Sequence, residues 1–127
     1  MGTIQLLVVE DNKNDIELLT YALKKAGINF DLRQVQTEEE LVEALQTQRP
    51  DLVLSDNSLP RLDGERALEI VKAQNSDIPF VVFSGASQER FEEMKAKGAA
   101  ECVSKVDLNL LPGVILKTIN NMSVPKS

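Results

Sequence analysis

The chain has 127 residues, 43% of them hydrophobic and 27% charged, with a net charge of −6, one cysteine and no histidine. A length of this order is one domain with a core of its own, and the acidic balance argues against nucleic acid and anionic membranes as direct partners. With Cys102 alone and no histidine, neither an internal disulfide nor a zinc centre can be built, so any bound metal would have oxygen ligands.

Ile4 to Val9 is a continuous apolar run, the pattern of a strand covered on both faces, and Glu10-Asp11 follow it directly. Ile16, Leu19 and Leu23 then share one helical face, with Gly27 placed to end that helix in a left-handed residue. Phe30 to Val35 is a weaker strand. Thr37 and Glu40 form a capping box, which makes Glu38 to Glu40 a solvated first turn, and Leu41 pairs with Leu45 along the helix behind it. Leu52 to Ser55 is again strand-like and ends, without any turn residue, on the carboxylate of Asp56. Leu68 with Val71 marks a third helix, Ile78 to Ser84 a fourth strand, and Ser87 the N-cap of a fourth helix that carries Phe91 and Met94 and stops near Gly98. Ala100 to Ser104 is the fifth strand, closed by Lys105. The last helix holds Pro112 in its first turn, where a missing N–H costs little, and repeats an apolar face through Leu111, Ile115 and Thr118.

Five strands in strict alternation with five helices require a parallel sheet with right-handed crossovers and helices on both faces. Residues 1–122 are expected to form this α/β domain, with 123–127 a frayed tail or the start of a linker. No run is long enough for a membrane span or a secretory signal, and the expectation is a cytoplasmic protein.

In an open parallel sheet, ligands bind beyond the carboxyl ends of the strands, where the chain order reverses. Glu10, Asp11, Asp56, Ser84 and Lys105 all fall at such ends, so the charge on Asp56 belongs to a rim and not to the core. Crowded carboxylates either raise a pKa or hold a cation, and hard oxygen ligands in this number suit magnesium or manganese. Lys105 would then face an anion and Ser84 would donate to it, a clamp for phosphoryl oxygens around Asp56 as nucleophile. Singly, each residue has a plainer reading. Asp56 or Asp11 could cap a helix, as could Asn12 or Asn14, while Lys105 alone would be a solvated lysine. The weight lies in their coincidence on adjoining strand ends.

Glu10-Asp11, the stretch DNSLPRLDG from Asp56 to Gly64, Ser84 with Gly85 and Ala86, and Lys105 together resemble the receiver domain of two-component response regulators, over essentially the whole chain. The resemblance implies a flavodoxin-like (βα)5 domain whose sheet runs in the order 2-1-3-4-5. It implies that Asp56 accepts a phosphoryl group from the phosphohistidine of a sensor histidine kinase or phosphotransfer protein, the domain catalysing only its own phosphorylation and dephosphorylation. Asp11 and Asp56 would bind Mg2+ (or Mn2+) by side chain, Glu10 through water and Ser58 by its backbone carbonyl. Lys105 and Ser84 would engage the phosphoryl group, Asn57, Ser58, Gly85 and Ala86 would line its site or tune its lifetime, and Leu59-Pro60 and Asp63-Gly64 would shape the loop into the third helix. Ser84 and Cys102 would be the switch positions. Residues 88–120 would carry the surface read by a downstream protein or an attached output domain.

Two positions depart from the family pattern. Val106 follows the lysine where a proline is usual, and because a cis bond to a non-proline residue costs about 2.5–4 kcal/mol, the Lys105-Val106 bond is expected to be trans. Cys102 stands where an aromatic ring is usual and reads as a small, partly buried residue and not a reactive thiol. A phosphatase of the haloacid dehalogenase type would place a second Asp two residues after the nucleophile, where this chain has Ser58. A nucleotide-phosphate module would not put Glu10 and Asp11 in the loop after its first strand. The remaining alternative is a receiver-like protein-binding module with little or no phosphorylation.

Overall fold

The computed structural model describes residues 3–56, 63–85 and 88–123. The strands are β1 Ile4–Val9, β2 Phe30–Val35, β3 Leu52–Ser55, β4 Phe80–Ser84 and β5 Glu101–Ser104. The helices between and after them are α1 Lys13–Lys25, α2 Glu38–Thr47, α3 Gly64–Gln74, α4 Gln88–Ala96 and α5 Leu111–Ser123. The five strands pair in parallel in the order β2-β1-β3-β4-β5, the flavodoxin-like arrangement.

Alternate residues of each inner strand enter opposite layers. Leu6 and Val8 pack with Leu19 and Leu23 of α1 and with Leu111 and Ile115 of α5. Leu7 and Val9 join Leu41 of α2, Leu68 and Val71 of α3, and Phe91 and Met94 of α4. A strand covered on both sides has no polar face, which is why these runs do not alternate, and each large side chain so buried contributes about 1.5–3 kcal/mol. β2 lies at the sheet edge, where Asp31 and Arg33 stay exposed and Phe30 and Leu32 are partly covered, so its apolar signal is weaker.

Local chemistry sets the helix ends. Asn12 caps α1, its Oδ1 accepting from the N–H groups of Asn14 at 2.8 Å and Asp15 at 3.3 Å. Thr37 and Glu40 form the reciprocal box at α2, and Asp63 caps α3 by accepting from the Arg66 N–H at 2.9 Å. Gly27 and Gly98 take φ values of 77° and 119°, where a Cβ would be strained. Pro112 is the second residue of α5. Ser87 lies outside the described residues. A 3-10 helix, Lys105–Leu110, joins β5 to α5 where the sequence shows only a connection. The Ser104 hydroxyl starts it by accepting from the Val106 N–H at 3.3 Å, and six residues are too few to show a period.

The register places the strand ends together. Val9 pairs with Ser55, Ser55 with Val82, and Ser84 with Ser104. Glu10 and Asp56 follow directly on β1 and β3, where the order reverses, and Lys105 follows on β5 along the same rim.

Candidate functional site

Lys105 stands at the centre of the rim. Its Nζ donates to Asp56 Oδ2 at 2.8 Å, to Glu10 Oε1 at 3.1 Å and, more closely still, to Asp15 Oδ2. One oxygen from each of Glu10, Asp15 and Asp56 lies within 4.8 Å of the other two, a spacing and donor type that fit a hard divalent cation. Glu10 is 3% exposed and Asp56 9% exposed, so both carboxylates are held largely out of water. Glu10 is oriented by its own loop, because Oε2 accepts from the N–H groups of Asp11 at 3.1 Å and Asn12 at 3.2 Å. Its backbone carbonyl accepts from Gln34 Nε2 at 2.7 Å, which ties the end of β1 to β2. Asp56 is held by the sheet, its N–H donating to the Val9 carbonyl at 3.0 Å. A largely buried carboxylate, a lysine on it and two further acids form a compact charged site suited to a hard cation and to the oxygens of an anion.

A sequence profile of the response regulator receiver domain matches residues 6–115. The chain is a response regulator receiver domain. It is 30% identical over 118 residues to the two-component response regulator ORR42 of Oryza sativa, covering 92% of this chain and 88% of that one. It is also 30% identical over 90 residues to the alkaline phosphatase synthesis transcriptional regulatory protein PhoP of Bacillus subtilis, covering 71% of this chain and 36% of PhoP. The matched region is thus about a third of PhoP. In fold it resembles the receiver domain of the sensor histidine kinase PA1611 of Pseudomonas aeruginosa, solved with magnesium in its active-site cleft. The TM-score is 0.79 at 23% identity, with 94% of this chain and 99% of that one covered.

Within this receiver domain, Glu10, Asp56 and Lys105 come together as their strand ends require. Ser84 closes β4 and is 1% exposed. Gly85 is exposed beside it. Asp11 is exposed and stands outside the carboxylate cluster, where the third place is taken by Asp15. Asn57, Ser58, Leu59, Pro60 and Ala86 lie outside the described residues. Among the described residues no peptide bond is cis, so the Lys105-Val106 bond is trans, as expected for a non-proline residue, and Lys105 reaches the carboxylates from that backbone.

In the residue pattern Asp15 does not stand out. In the first turn of α1 it looks like an ordinary acid complementing the helix N-terminus. The available signal was its distance from the strand: α1 begins just past the end of β1, and helical side chains lean toward the N-terminus, so an acid three residues after the Asn12 cap reaches back over the rim.

The electrostatics follow the burial. Burial, and then the charge of Asp56, push the Glu10 carboxyl above its ordinary value, with Lys105 only partly opposing them. Burial alone would lower the Lys105 ammonium, but hydrogen bonds to Asp15, Asp56 and Glu10 outweigh it and hold the pKa above the usual lysine range. The site rests as a lysine clasped by acids. At the other end of β5, burial pushes the Cys102 thiol up to about 11. Its Sγ donates to the Phe91 carbonyl at 3.5 Å, linking β5 to α4, which agrees with a packed and unreactive thiol.

Proposed function

We propose that Asp56 is the phosphoacceptor of a cytoplasmic phosphorelay, taking its phosphoryl group from the phosphohistidine of a sensor histidine kinase or phosphotransfer protein. The observation that carries this is the direct 2.8 Å hydrogen bond from Lys105 to a carboxylate 9% exposed at the end of β3. An Oδ of Asp56 would attack phosphorus as the P–N bond to the histidine ring breaks, the ring nitrogen leaving with the electron pair and the aspartate becoming an acyl phosphate. Mg2+ or Mn2+ would supply positive charge to the phosphoryl oxygens when bound. Asp11 and Asp56 would hold it by side chain and Glu10 through water, with the backbone carbonyl of Ser58 completing the set. Lys105 would pass from the carboxylates to the phosphoryl oxygens, and the Ser84 hydroxyl would donate to them. Asn57, Ser58, Gly85 and Ala86 would bound the space around the phosphoryl group and set the access of water.

The readout would be protein binding and not catalysis on outside substrates. Ser84 on β4 and Cys102 on β5 would carry the change to residues 88–120, read by a downstream protein or an attached output domain. The contact of Cys102 with the Phe91 carbonyl supports α4 as part of that path.

Incubation with acetyl phosphate and magnesium, followed by intact-mass measurement, should add one phosphoryl group to the wild type and none to Asp56→Asn. A folded wild type that stays unmodified, or an equal adduct on Asp56→Asn, would overturn the assignment.

A further inference from the structure

Asp15 has no place in the chemistry just described, yet it makes the closest of the three contacts to Lys105. An ammonium has three N–H donors, and Lys105 directs its Nζ to three carboxylates. Two of these, on Glu10 and Asp56, are the groups a divalent cation would need. A metal entering there must displace the lysine, and cation repels cation. Without another partner the ammonium, on a side chain only 24% exposed, would be left poorly solvated, and that cost would oppose metal binding. Asp15 is the partner that remains. Its backbone is held independently of the lysine, because its own N–H donates to the Asn12 cap at 3.3 Å in the first turn of α1. Its side chain is 23% exposed and lies against the Lys105 ammonium.

We infer that Asp15 is a positioning residue that retains Lys105 while a divalent cation takes Asp56 and, through water, Glu10, so that the lysine does not compete with the metal. The inference rests on the phosphoacceptor reading and deepens it. It assigns Asp15 to the lysine and not to the ion, although its oxygen lies within 4.8 Å of the other two.

A double-mutant cycle separates these roles, with magnesium affinity read from amide chemical shifts of the full chain and dispersed spectra showing that each variant is folded. Asp15→Asn should weaken magnesium binding about tenfold beside Lys105, but no more than about threefold in the Lys105→Met background, where no lysine is left to hold. Asp15→Glu, which keeps the charge, should restore most of the affinity. Equal weakening in both backgrounds would make Asp15 a direct ligand and overturn the inference, as would no weakening beside Lys105. Absence of magnesium uptake by the wild type would instead remove the metal reading itself.

Discussion

Replacing Lys105 by methionine keeps most of its volume, removes the charge shared by Glu10, Asp15 and Asp56, and leaves those acids facing one another. Breaking a fully buried ion pair costs about 3–5 kcal/mol. Two features of this site reduce that figure. The lysine side chain keeps 24% exposure, and Glu10 can escape by taking a proton, which at neutral pH costs about 3 kcal/mol from an ordinary carboxylate pKa. The expected loss is therefore about 2–3 kcal/mol, or about 10 °C of melting temperature in a domain of this size. The sign with pH follows from Glu10. Its folded-state pKa already lies above the ordinary value and rises further when the lysine is removed, so the folded chain binds that proton more tightly than the unfolded one. Stability is then fully present below the ordinary carboxylate pKa and falls as pH rises through the folded value. Thermal melts followed by circular dichroism should show the full deficit at neutral pH in a chelator, a smaller one in mild acid, and recovery with magnesium. A deficit of the same size in acid, or one that magnesium does not relieve, would refute the reasoning, because it would trace the loss to packing and not to charge.

Thr37→Ala should cost about 1 kcal/mol in urea unfolding, since it opens the capping box in which the hydroxyl accepts from the Glu40 N–H at 3.2 Å. Cys102, with its thiol pushed up to about 11, should react slowly with iodoacetamide in the native state at neutral pH, and mass spectrometry should find rapid labelling only after denaturation.

The elements most readily read from the sequence were those whose cause is local. Inner strands such as β1 and β4 are mostly apolar because both faces are covered, and Thr37, Gly27 and Gly98 mark helix ends by chemistry confined to a few residues. Asp56 and Lys105 stand out for the same reason, as charges set directly on the ends of such runs. The 3-10 helix after β5 was not apparent, because its cause is one hydroxyl at Ser104 and its length shows no period.

What the sequence determined by itself was therefore the alternation of elements, and with it a parallel sheet whose carboxyl ends gather Glu10, Asp56, Ser84 and Lys105 on one side. What only the tertiary structure decided was which acids share the lysine. Asp11 adjoins Glu10 in the chain yet is exposed, while Asp15, four residues further on, enters the cluster. The spacing of Asp15 from the Asn12 cap lets it reach back over the rim, but whether it meets the lysine depends on how α1 packs through Leu19 and Leu23 against β1.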